Sequence, residues 1–225
     1  MLNRKWLMTA LVTLSIGTSS AFARANSEVC FTDNIPYTLT NFNDTLSFQM
    51  FNPSDAFGDG SNIPGVLTSV KLTLDGALLG SMDLTNFGSA ADISGSLTPS
   101  ITVTRPDLTV LLNLGLNGVF GPILVNNGQT VMVGPITDMQ SLMQAFNLPA
   151  DLLLFTGPGT INLPVTATGA FMVTGGSGNV LTTAMTSVKA DASVCYNFSI
   201  VPEPTTAGLV LVGVGLMLRK CGRRR

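Results

Sequence analysis

Four oxygen-bearing side chains, Asp55, Asp59, Ser61 and Asn62, stand within eight residues of one another in a glycine-rich stretch. Hard oxygen donors at that density are the raw material of a Ca²⁺ site. Their spacing is not that of an EF-hand loop and no closing Glu follows, so an ordinary solvated loop is the favoured reading and no metal is assigned. Histidine is absent from all 225 residues. Its absence removes Ser-His-Asp and Cys-His activation of a nucleophile, and with them the commonest metal ligand. There is no Gly-x-Ser-x-Gly elbow, phosphate-cradling glycine loop or His-Glu-x-x-His pair. Paired carboxylates could serve a glycosidase. The acids outside the ends are nearly all Asp, however, and most stand at turn positions that favour Asp in any case. The expectation is a non-enzymatic chain with no catalytic residues and no cofactor.

Three cysteines remain. Cys30 and Cys195 occupy matching settings, Val29-Cys30-Phe31 and Val194-Cys195-Tyr196, near the two ends of the central region, whereas Cys221 sits in a basic tail. In an oxidising compartment Cys30 and Cys195 would tie the first strand to the last. The alternative is a pair of buried free thiols. Metal binding is disfavoured, because no Cys-x-x-Cys pair exists.

The two ends of the chain are built for membranes. Arg4 and Lys5 precede an apolar stretch from Trp6 to Ile16, and Ala21-Phe22-Ala23 offers a small-x-small cleavage site. These are the three regions of a secretory signal over residues 1–23, with Ala23-Arg24-Ala25 a second candidate site. At the other end, Val201-Pro202-Glu203-Pro204 is followed by an uncharged run from Thr205 to Leu218 and then by Arg219, Lys220, Cys221, Gly222, Arg223, Arg224 and Arg225. Each proline fixes φ and lacks an N–H, so the box stops an incoming strand. As a helix, 201–218 would be roughly 27 Å long, barely spanning a ~30 Å hydrocarbon core. Basic residues at both ends place the middle of the chain outside the cytoplasm. That middle, from Ala25 to Pro204, holds Lys71, Arg105 and Lys189 against all thirteen acids, a net of about −10. Such a surface repels nucleic acid and anionic lipid.

The Pro-Glu-Pro box, apolar run and basic cluster, in that order over residues 201–225, resemble the PEP-CTERM sorting signal of Gram-negative and related bacteria. The resemblance implies processing at or near Pro202-Glu203-Pro204 by exosortase, a membrane transpeptidase. The sorting residues would be Val201, Pro202, Glu203, Pro204, Arg219, Lys220, Arg223, Arg224 and Arg225. It further implies an inner-membrane precursor, then a place on the cell surface or in an extracellular polysaccharide or biofilm matrix. The stretches from Phe51 to Leu74 and from Phe155 to Gly169, with Gly178-Asn179 and the closing Val194 to Phe198, resemble the choice-of-anchor E surface domains. This chain departs from that pattern by a longer insertion around Asp55 to Asn62 and by its extra cysteine pair. The family supplies no catalytic role to carry over.

The elements that must position these residues read as short strands broken by Gly, Pro, Asn and Asp. Val66, Thr68, Val70, Leu72 and Leu74 alternate along one face, and Asp75-Gly76 then predicts a hairpin returning through Ala77 to Leu84. Ala190, Ala192, Val194, Tyr196, Phe198 and Ile200 share a face of the last strand. Met139, Leu142, Met143 and Phe146 at helical spacing predict one short helix over 137–146, and 152–155 reads as a strand. About ten strands at this spacing predict an all-β, antiparallel β-sandwich over residues 26–200. A carbohydrate-binding module is the alternative function, but few exposed aromatics are expected, since Trp6 lies in the signal and Tyr37 and Tyr196 are the only tyrosines.

Overall fold

The computed structural model describes residues 26–176 and 179–201. Eleven strands and one helical turn follow in order. They are β1 (Asn26–Leu39), β2 (Phe42–Gln49), β3 (Gly65–Asn86), β4 (Ala91–Leu97), β5 (Ser100–Thr104), β6 (Val110–Gly115), β7 (Gly118–Val125), β8 (Thr130–Phe146), α1 (Pro149–Leu154), β9 (Thr160–Thr168), β10 (Phe171–Thr174) and β11 (Val180–Ile200). All strand pairs are antiparallel.

Period-two burial gives the first layer, the sheet β1-β11-β3-β8. Every even-numbered residue of β3 from Val70 to Asn86 is buried, and so is every even-numbered residue of β11 from Thr186 to Phe198. One face of this sheet is therefore a continuous apolar surface more than fifteen residues long. The second layer consists of two smaller sheets, β2-β9-β5-β6 and β10-β4-β7. Three chain segments pass from one to the other after breaks of two residues: β4 to β5 at Thr98-Pro99, β6 to β7 at Leu116-Asn117, and β9 to β10 at Gly169-Ala170. The lateral order is the same on both sides of the breaks, and hydrogen bonds from Thr98 N to Ala170 O (2.8 Å) and from Leu116 N to Pro99 O (2.9 Å) stitch the gap. The described residues thus form a two-layer β-sandwich whose second layer is interrupted across its middle.

Packing between the layers is close enough to require glycine. A Cβ on Gly76 would come within 2.6 Å of Leu114 and 3.2 Å of Ile101, placing this part of β3 against β5 and β6. Further along, a Cβ on Gly118 of β7 would meet Ile136 of β8 and Leu78 of β3. At one end of the sandwich the core is aromatic. Tyr196 is fully buried among Phe31, Phe51 and Phe155, with ring centroids 5.9, 6.0 and 6.4 Å away. Its hydroxyl donates to Gln49 O at 2.8 Å. At the other end Asn86, also fully buried, donates from Nδ2 to Ser89 O and Val125 O and accepts from Gly88 N. A buried amide with all these partners closes the turn without leaving orphan backbone groups.

Four expectations need correction. Asp75-Gly76 is no hairpin: β3 runs straight through it, with Asp75 exposed on the outer face and Gly76 buried on the inner one. The helix expected over 137–146 is the second half of β8, paired residue by residue with β3 from Thr137↔Leu79 to Phe146↔Val70. In the strand these four side chains divide between its faces, Leu142 and Phe146 turned to the core and Met139 and Met143 exposed, so the ladder offered by β3 overrides the helical spacing. The strand expected over 152–155 is α1, which starts with Pro149 in its first turn and carries Asp151 there, as favoured at a helix start. Finally, Val66 and Thr68 do not share the face of Val70. A bulge between Asn197 and Phe198, facing Thr68, whose Oγ1 donates to Asn197 O at 2.8 Å, shifts the alternation and leaves Val66 exposed.

Candidate functional site

The sorting residues Pro202, Glu203, Pro204, Arg219, Lys220, Arg223, Arg224 and Arg225 lie outside the described residues, as does the signal of residues 1–23. Val201, the last described residue, is 40% exposed and donates its N–H to Pro64 O at 3.0 Å. Asn26 pairs with Ser199, so the chain enters and leaves the domain side by side, at one end of the sandwich. Among the described residues no helix is long and apolar enough to cross a membrane.

Cys30 and Cys195 are directly opposite in the β1–β11 ladder, with Cα atoms 4.0 Å apart, and form a disulfide. Cys30 is exposed and Cys195 is buried, and the bond between them leaves neither sulfur a free thiol. Glu28 lies beside this pair, the one grouping of three potential metal ligands among the described residues. Thiolates, not disulfide sulfurs, bind metals, and Glu28 is paired with Lys71 at 3.4 Å. The cluster is structural.

In the loop between β2 and β3 the oxygen donors serve the loop itself. Asp55 accepts from Gly60 N at 2.9 Å and from Ser61 Oγ at 3.4 Å, Asp59 accepts from Ser61 N at 2.9 Å, and Asn62 donates to Gly60 O. The side-chain and backbone hydrogen bonds from Ser61 hold the Asp59 carboxyl below its ordinary value. Short Asp-capped turns account for this composition. The bond from Ala56 N to Ile63 O closes the loop on itself, and Gly65 N to Pro53 O, with Phe57 packed edge-on to Phe198 at 5.2 Å, holds it to the domain.

A different set of side chains meets on the outer face of the first layer. Tyr37, Asp75, Met139, Gln140, Lys189 and Asp191 line an open groove of about 440 Å³, within the size range of small-molecule clefts. Asp191 lies directly opposite Asp75 in the ladder, a like-charged pairing that is unfavourable by itself. Lys189 Nζ relieves it, 2.6 Å from Asp191, and that hydrogen bond raises the Lys189 pKa above its ordinary value. Gln140 Nε2 donates to Asp138 at 3.2 Å, while the Asp75 carboxylate has no hydrogen-bond or ion-pair partner among the described residues. Tyr37 is 46% exposed, on a β1 irregularity between Ile35 and Thr38. The groove thus offers an aromatic face, two carboxylates, an ammonium and an amide. Nothing in the sequence joins these residues; the strand register does. Their outward positions become visible only once β3 runs through Asp75 instead of turning there.

No family model matches the chain, and no curated protein matches it. Among solved structures, it is similar to capsid structures of infectious bursal disease virus. The VP2 subviral particle covers 88% of this chain and 49% of its own at 12% identity, with a TM-score of 0.21. The virus-derived T=1 particle covers 80% and 42% at 11% identity, with a TM-score of 0.20, and the Gx strain 88% and 49% at 11%, with a TM-score of 0.22. The chain spans less than half the length of these capsid chains.

Proposed function

We infer that this protein is a non-enzymatic surface or matrix protein, exported, held for a time by its C-terminal tail and then processed by an exosortase-type enzyme. The observation that carries this is the order Pro202-Glu203-Pro204, apolar run, basic cluster in the last 25 residues. Three features of the domain support it. Its disulfide suits an oxidising compartment. Its acids outnumber its bases heavily, as suits a surface that must stay clear of anionic lipid. Its chain leaves at a free end, with Val201 exposed, so an enzyme at the membrane can reach the box. Glu203→Ala, or deletion of residues 219–225, should leave unprocessed precursor in the producing cells, as read by intact mass. Wild-type protein that keeps Arg219 to Arg225 in a strain with active exosortase would instead establish a permanent tail anchor.

The outer-face groove favours a second reading, a carbohydrate-binding surface. Sugars are held by an aromatic face under their C–H groups and by carboxylates, amides and ammonium groups on their hydroxyls, and Tyr37, Asp75, Asp191, Gln140 and Lys189 supply that set. Tyr37→Ala should then weaken retention on the producing strain's polysaccharide by about tenfold, the ~1.4 kcal/mol of one stacking contact. Unchanged retention, or none in the parent, would remove this reading.

A further inference from the structure

The end of the sandwich from which Val201 departs carries a cluster of exposed apolar side chains. Val66 of β3 is 53% exposed, Ile63 before it 37%, Leu148 and Leu153 around α1 63% and 72%, and Val201 itself 40%. Val66, Pro149, Leu152 and Leu153 line one shallow apolar groove together with Phe51 and Leu67. No residue of α1 is fully buried, although Leu152 and Leu154 pack partly on the core, so Leu153 projects to solvent from an otherwise seated turn. Leaving such a patch in water is unfavourable, and its place in the chain says what covers it.

We propose that this end of the domain is a membrane-contact surface, resting on the lipid headgroup and outer acyl region while the tail is in the bilayer. The proposal depends on the tail-anchor reading above. Only Pro202, Glu203 and Pro204 separate Val201 from the uncharged run that begins at Thr205. Three or four residues span at most roughly 10–14 Å. So short a tether allows one end of the sandwich alone to face the bilayer, the end bearing Val66, Leu148 and Leu153. The opposite end, with Phe87 after β3, is on the order of 70 Å away along a strand at ~3.3 Å per residue. Asp55 and Asp59 lie in the loop beside the patch and disfavour anionic headgroups, so the surface is suited to zwitterionic lipid. Contact there would also fix the height of Glu203 above the membrane instead of leaving it to the tether.

The test uses the chain without its signal, residues 24–225, which holds no tryptophan, reconstituted into phosphatidylcholine vesicles carrying bromine on the upper acyl chain. A single tryptophan is introduced at Leu153, at Val66, or at Phe87, each an exposed position. The protein should float with the vesicles. Apolar contacts at an interface enter it by ~5–10 Å, so tryptophan at 153 and at 66 should be quenched about twofold or more beyond that at 87. Flotation with equal quenching at all three positions would overturn the contact surface and leave the anchor standing. A chain that does not float would defeat the anchor and the contact surface with it.

Discussion

Tyr196 shows how one side chain can do several jobs at once. Its ring fills the aromatic end of the core and its hydroxyl closes on Gln49 O, tying β11 to the end of β2 across the sandwich. Burial pushes its pKa far above the ordinary 10.0 of a tyrosine. Lys189 is raised above its ordinary 10.5 by its bond to Asp191. Both groups keep their protons in the folded state at a pH where the unfolded chain releases them. Their contribution is complete below pH 10 and is lost as pH rises, because unfolding then liberates protons. Urea midpoints should therefore fall steeply above pH 10, and Tyr196→Phe should flatten that fall. At neutral pH the same substitution should cost about 1 kcal/mol through the lost hydrogen bond.

At the scale of elements, glycine separates two kinds of strand position. Gly76→Val in β3 would drive a branched side chain into Leu114 and Ile101, both buried, and should destabilise by about 2 kcal/mol. Gly115→Ala at the end of β6 has nothing within 4 Å; it should be neutral or stabilise by up to about 0.5 kcal/mol through the unfolded chain. Paired denaturant melts of the two variants check both. At the same Gly76, local turn chemistry and tertiary packing part company. Alternation was legible wherever the partner strand kept step, as from Ala190 to Phe198, and it predicted the sandwich and the disulfide strands. An Asp-Gly pair, however, reports only that the backbone is free to turn, and here close packing, not turning, is what needs the glycine. In 137–146, a helical spacing was overridden by ten pairings with β3 that local sequence does not contain. The helix at Pro149 was readable from its proline and Asp151, but a run of three leucines masked it. The groove around Tyr37 was not legible, since register alone brings Asp75 and Asp191 together.

For the molecule as a whole, the disulfide between Cys30 and Cys195 links positions 165 residues apart. Closing so long a loop in the unfolded chain removes entropy worth roughly 5 kcal/mol on the chain-entropy view. At about 2–4 °C per kcal/mol for a domain of this size, reduction, or the double substitution Cys30→Ser with Cys195→Ser, should lower the melting temperature by about 10 °C or more. Calorimetry with and without a thiol reductant measures this directly, and the exposed Cys30 makes the bond accessible to reductant.

The sheet order β1-β11-β3-β8 also has a consequence in time. A ribosome or an export channel delivers β1 first and β11 last, yet β11 lies between β1 and β3. Until residues 180–200 arrive, the first layer has no centre, and the facing edges of β1 and β3 stay unpaired. The domain cannot mature piecemeal from its beginning. It waits, open-edged and prone to pair with other chains, for the segment that immediately precedes Pro202. The moment at which the first layer can close is therefore the moment at which the C-terminal box itself becomes available.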